Sequence, residues 1–142
     1  MKPNVLIDTD VILDVFLDRE PHNELSKAVM LSLGLKRFHG HITATIVVNV
    51  FYHVRKHLGK ETAIQCVRDL LKTEEIEIQA IDKTILTTAL NSGMTDFEDA
   101  VQAMAAEIAG LDFIVTRNVR DFRNSPTPFV SPEELLKKLK NK

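Results

Sequence analysis

Cysteine occurs once in the 142 residues, at Cys66, which excludes an internal disulfide and any thiolate-bound zinc cluster. Five glycines leave no room for G-x-G-x-x-G or G-x-x-x-x-G-K-S/T, so the common backbone cradles for dinucleotides and nucleoside triphosphates are missing. No apolar stretch approaches the roughly 20 residues that span a bilayer, and the opening MKPNVLIDTD meets a carboxylate before a signal-peptide core is complete. A cytoplasmic protein without a membrane partner is expected. Acidic residues are missing altogether from Leu25 to Lys60, while the same stretch carries Lys27, Lys36, Arg37, Arg55, Lys56 and Lys60 and four of the five histidines.

What is present describes an ordinary globular chain. Hydrophobic residues make up 44% and charged ones 27%, and the length suits one domain spanning residues 1–142. The net charge is −2, but the first 24 residues hold six acids against two bases and the following segment is basic. Such asymmetry brings a polyanion near an acidic site. Ordinary solvated helix faces are the plainer explanation of the same pattern.

Val5–Ile7 reads as a short strand ending in Asp8-Thr9-Asp10, followed by an amphipathic helix through Val11, Ile12, Val15 and Phe16. Pro21 suits the first turn of a second helix, which carries Leu25, Val29 and Leu33 towards a stop at Gly34. His41–Thr43 is a second strand, Thr45–Leu58 a buried helix closed by Gly59, and Glu61–Leu71 another helix. A third strand around Ile76 and Ile78 precedes a helix from Asp82 to Leu90. Thr95-Asp96-Phe97-Glu98 is a capping-box pattern with Thr95 as cap, opening a helix that stops at Gly110. Phe113–Val115 forms a fourth strand and Phe129-Val130 a fifth, and Ser131-Pro132-Glu133-Glu134 opens a last helix. Alternating strands and helices predict a three-layer α/β/α sandwich around a central parallel sheet of four to five strands.

Ligands in such sheets bind beyond the carboxyl ends of the strands. Asp8 and Asp10 follow the first strand, Thr43 to Thr45 the second, and Thr116, Arg117, Asn118 and Asp121 the fourth. Asp96 and Asp99, three apart, share a face at a helix start, where a negative group is favoured. Converging carboxylates without cysteine describe a site for Mg²⁺ or Mn²⁺, suited to phosphodiester hydrolysis. Each element has a plainer role: Asp8 as a helix cap, Asp96 as part of a capping box, the TRN segment as a turn. Asp99 resists that treatment, because it lies within a face of small and apolar residues where an unpaired carboxylate is costly.

Three runs together, VLIDTDVILDVFL, DFEDAVQAMAAEIAG and FIVTRNVRDF, resemble the PIN domain over nearly the whole chain. The resemblance implies a parallel α/β/α sandwich acting as a Mg²⁺- or Mn²⁺-dependent endoribonuclease, in many bacterial members the VapC-type toxin of a toxin–antitoxin pair. It implies RNA as substrate, a protein antitoxin as partner, and a homodimer. Asp8 and Asp99 match the family's metal-binding carboxylates, and Asn118 stands where many members carry a further acid, with Asp121 nearby to replace it. Asn49 occupies the place of a usual glutamate, as in a subgroup this chain is similar to; Asp10 and Asp96 are extra acids that compensate, and Asp96 joins Asp8 and Asp99 as a metal ligand. Arg55, Lys56 and Lys60 are expected to grip RNA, with Arg117 and Arg120 beside the metal. Apolar helices around Leu25–Leu35 and Glu61–Leu71 support pairing of two copies.

Other readings stand beside this one. Asp8-Thr9-Asp10-Val11 also resembles the D-x-D-x-T/V signature of haloacid-dehalogenase-type phosphatases, with Asp8 as nucleophile. Asn49 motivates a PIN-like RNA or protein binding module that has lost turnover. His53 and His57, four apart, with His39 and His41, suggest a zinc site that lacks the acidic base of H-E-x-x-H.

Overall fold

A computed structural model of the chain describes residues 2–140. Among these, the elements run β1 (Asn4–Ile7), α1 (Thr9–Phe16), α2 (Asn23–Gly34), β2 (His39–Thr43), α3 (Ala44–Leu58), α4 (Lys60–Lys72), β3 (Ile76–Gln79), α5 (Lys83–Leu90), α6 (Phe97–Ile108), β4 (Phe113–Val115), β5 (Phe129–Val130) and α7 (Pro132–Lys140). The strands form one parallel sheet in the order β3-β2-β1-β4-β5. Val5 lies opposite Gly40 on one side and Phe113 on the other, and Ile7 opposite Val115. The chain steps outward from β1 to β2 and β3, then returns past β1 to β4. Right-handed crossovers place the helices of those two excursions on opposite faces, giving the expected three layers.

Covered on both faces, the central strands read as apolar runs rather than alternating ones. Val5, Leu6, Ile7, Ile114 and Val115 are fully buried, as are Ile46, Val50 and Val54 along the inner side of α3. At the sheet edge, β3 buries Ile76 but leaves Glu77 and Ile78 exposed, so the alternation expected there is only half kept.

Capping residues decide where strands become helices. Asp8 and Thr43 end β1 and β2 in extended conformation and cap α1 and α3, Thr43 Oγ1 accepting from Ile46 N at 3.1 Å. Ser131 and Glu134 complete a reciprocal capping box at α7, both bonds 3.1 Å. Gly59 and Gly110 close their helices at φ +93° and +69°, as expected.

Two local expectations change. Asp96, not Thr95, caps α6 and accepts from Asp99 N at 2.9 Å, because the helix begins one residue later at Phe97. Pro21 lies outside α2, after a cis peptide bond in the turn that precedes it. α2 stops at Gly34 as expected, and the left-handed residue beyond it is Lys36, at φ +61°.

Candidate active site

The return of the chain past β1 makes the β1–β4 boundary the topological switch point, and a polar cleft of about 320 Å³ opens beyond the carboxyl ends of these strands. Asp8, Thr9 and Asp10 enter it from the end of β1, Arg117 and Asn118 from the end of β4, and Asp96, Glu98, Asp99 and Gln102 from the start of α6. His53 and Arg19 complete the rim.

Hydrogen bonds fix the first two acids. Thr9 N donates to Asp8 Oδ1 at 2.9 Å, and Thr116 Oγ1 donates to Asp8 Oδ2 at 2.9 Å, with Asp10 Oδ2 3.4 Å from the same hydroxyl. Arg117 N donates to Asp10 Oδ2 at 3.1 Å. Asp8 therefore caps α1 and floors the cleft at once. On α6, Gln102 is held by Thr43 Oγ1 at 2.5 Å and is almost fully buried.

Crowding of like charges in a buried place leaves these carboxylates reluctant to ionise. Burial, then Asp10 and Asp99, push Asp8 up to about 8 from an ordinary 3.8. Burial, then Asp96, Asp121, Asp10 and Glu98, push Asp99 up to about 7. Asp10 is raised by burial against the opposing pull of Arg117.

The donor set fits a hard divalent cation. Its acids offer only oxygen, and Asp10 Oδ1 is buried with no hydrogen-bond partner among the described residues. Among the described residues, no group of three or more His, Cys, Asp or Glu side chains is gathered closely enough to hold a metal ion by itself. A Mg²⁺ or Mn²⁺ here would be held by carboxylates of the cleft, with water and substrate oxygen completing its shell.

Of the residues singled out in the sequence, Asp8, Asp10, Asp96, Asp99, Asn118 and Arg117 meet in the cleft. Asp121 stands just behind, accepting from Asn118 Nδ2 at 2.5 Å. Asn49 does not line the cleft; its Nδ2 donates to Glu98 Oε1. Arg55, Lys56, Lys60 and Arg120 are exposed and lie outside the cleft lining. The histidines do not converge: His57 Nδ1 bonds the His53 carbonyl at 2.9 Å, His41 is held between Asn4 and Gln79 at 3.0 Å each, and His39 is exposed.

Glu98, Gln102 and Arg19 were not read from the sequence as site residues. Glu98 was assigned to the capping box. Once Asp96 takes the cap, the Glu98 side chain is free to reach Asn49, and it brings a carboxylate to the side of the cleft where α3 supplies only an amide.

The sequence model of the PIN domain family matches residues 4–120. Curated proteins gave no match. Among solved structures, FitAcB from Neisseria gonorrhoeae aligns with a TM-score of 0.68 at 20% identity, covering 91% of this chain and 98% of that one. A toxin–antitoxin complex from Klebsiella pneumoniae aligns with a TM-score of 0.64 at 20% identity, over 90% and 97% of the two chains. The Mycobacterium tuberculosis toxin VapC20, which cleaves the sarcin–ricin loop, aligns with a TM-score of 0.64 at 10% identity, over 78% and 86%. These likenesses carry the same sheet and helix arrangement. The family match contains the Asp8-Thr9-Asp10-Val11 run, so the phosphatase reading of that run gives way. With its sheet order, its acidic cleft at the switch point and a match over residues 4–120, this chain belongs to the PIN domain family.

Proposed function

We propose that the chain is a Mg²⁺- or Mn²⁺-dependent endoribonuclease that hydrolyses phosphodiester bonds of RNA in the cytoplasm, as the toxin of a toxin–antitoxin pair. The observation that carries this reading is the meeting of Asp8, Asp10, Asp96, Glu98 and Asp99 in one cleft where Asp8 and Asp99 are held near neutrality. Such an arrangement is costly unless a cation is bound. The cation, when bound, supplies a Lewis acid that activates water and offsets charge on the scissile phosphate.

Asp8 and Asp99 hold the cation in this reading, with Asp96 as a further ligand and Asp10 presenting its unpaired Oδ1 beside them. Thr116 keeps Asp8 turned into the cleft. Asn118, backed by Asp121, presents an amide to substrate or water, and Asn49 orients Glu98 as the replacement for the glutamate absent from α3. Arg55, Lys56 and Lys60 lie at the junction of α3 and α4, where RNA leaving the cleft finds cationic side chains, and Arg120 follows β4.

A homodimer and a protein antitoxin complete the proposal. Leu31 and Leu35 around the end of α2 and Leu71 on α4 are 65%, 58% and 59% exposed, more apolar surface than a solitary chain needs to leave open. Structural neighbours described as toxin–antitoxin complexes support the antitoxin. Incubation of the purified protein with RNA and Mn²⁺ tests the enzyme directly. Internal cleavage that stops with chelator is expected; cleavage indifferent to chelator, or RNA bound and never cut, counts against it, the latter favouring the binding-module reading.

A further inference from the structure

Asp14 is an acid that the cation site does not use. It lies on α1, fully buried, and accepts four hydrogen bonds: from Ser26 Oγ at 3.0 Å, Arg19 Nε at 2.9 Å, and Arg117 Nε and Nη2 at 2.6 and 3.0 Å. Arg19 Nη2 also donates to the Asp10 carbonyl at 3.0 Å. One carboxylate thus holds two guanidiniums, so the group retains a net positive charge. Both arginines line the acidic cleft, with side chains 37% and 27% exposed.

Each guanidinium carries five N–H donors. Arg19 spends one on Asp14 and one on the Asp10 carbonyl, and Arg117 spends two on Asp14, leaving donors on both to face the cleft. Held at Nε by a buried carboxylate, neither side chain is free to swing, so little entropy is lost when the outer donors bind. A phosphodiester approaching Asp8, Asp10 and Asp99 meets repulsion that a neighbouring excess of positive charge offsets. Planar forks of this kind match phosphate oxygens in pairs.

We propose that Arg19 and Arg117, aimed by the buried Asp14, form a two-arginine fork that binds a phosphate of the RNA backbone beside the carboxylates. Arg19 and Arg117 are the contacting groups and Asp14 is a positioning residue. The inference rests on the ribonuclease reading for its ligand, but its test does not depend on cleavage.

A fluorescein-labelled 12-mer oligouridylate serves as probe, with affinity for the full-length chain read by anisotropy across a salt series in Ca²⁺, and a methylphosphonate 12-mer as the uncharged control. Arg19→Ala is expected to weaken oligouridylate binding about tenfold and to flatten the salt slope by about 0.7, one phosphate contact. Arg19→Lys keeps the charge without the fork and should restore the slope but only part of the affinity. Asp14→Asn should weaken binding in the wild-type background and have little further effect when Arg19 and Arg117 are both alanine. Wild-type affinity and slope in Arg19→Ala overturn the fork, as does an equal loss on the methylphosphonate or a wild-type chain that does not bind the probe. If Arg19→Ala misfolds by circular dichroism, Arg19→Lys decides alone: wild-type affinity overturns the proposal. Weakened binding by a protein that cuts no RNA with any cation leaves the fork standing and removes the ribonuclease reading instead.

Discussion

Without a divalent cation, Asp8→Asn should make the protein more stable at neutral pH. Folding raises the Asp8 carboxyl from 3.8 to about 8, so between these values the folded chain retains a proton that the unfolded chain has released. Stability contributed by that proton is present in full below about pH 4 and is lost as pH rises towards 8. At pH 7 the cost of the acid is about 4 kcal/mol relative to low pH, at 1.36 kcal/mol per unit. Asparagine keeps the oxygen that accepts from Thr9 N and puts an amide nitrogen where a carboxyl oxygen accepts from Thr116 Oγ1, a loss of about 1–2 kcal/mol. The net gain is about 2–3 kcal/mol, or roughly 6–9 °C in melting temperature for a chain of this length. Asp99, raised to about 7, acts with the same sign. Thermal melts in chelator at pH 5, 7 and 8 read the effect: the wild type should lose stability across the series, and the gap to Asp8→Asn should widen. Saturating Mn²⁺ should then stabilise the wild type more than the variant. A wild type equally stable from pH 5 to 8, or an Asp8→Asn protein less stable than wild type at pH 8, would refute the reasoning.

Other consequences follow from the same geometry. Replacing Arg55, Lys56 and Lys60 together with alanine should reduce the salt slope of single-stranded RNA binding by about 2, read by anisotropy, with the Mn²⁺ affinity of the cleft unchanged. Ser131→Ala removes the half of the α7 capping box in which Ser131 Oγ accepts from Glu134 N, keeps the half its own backbone N donates to Glu134, and should cost about 1 kcal/mol in urea unfolding, leaving RNA cleavage intact because α7 lies away from the cleft. Light scattering at micromolar concentration should give the mass of a dimer, and Leu31→Glu with Leu71→Glu should return it to a monomer.

The frame of the fold is legible because the strands are short and the first two are closed by a residue that also starts a helix. Ile7 followed by Asp8, and Ile42 followed by Thr43, announce a strand end and a cap within two positions. Asp8 and Asn118 are marked by one rule, that polar residues past parallel strand ends face a common crevice, and Asp96 and Asp99 by another, two acids three apart at a helix start. Pairings across the chain left no such mark. Arg117 finds Asp14 at a separation of 103 residues, and Asn49 finds Glu98 at 49, distances over which no periodicity carries information. The α6 cap shows how small a slip matters: Thr95 and Asp96 are both good caps, and choosing between them decides whether Glu98 folds back on the helix or reaches into the cleft. Lys36 takes the left-handed position two residues after Gly34, where α2 ends.

Single-turnover cleavage of an RNA that the wild type cuts, followed across a Mn²⁺ titration with wild type and Asp99→Asn side by side, reaches the central claim most directly. Asp99 is the α6 acid pushed up to about 7 by burial and then by its acidic neighbours, and removing its charge leaves the arginine fork and the outer basic residues untouched. The account predicts saturable activation of the wild type by Mn²⁺, with Asp99→Asn folded, still binding RNA, and slower by at least about a hundredfold at every Mn²⁺ concentration. Equal rates and equal Mn²⁺ midpoints for the two proteins would contradict it.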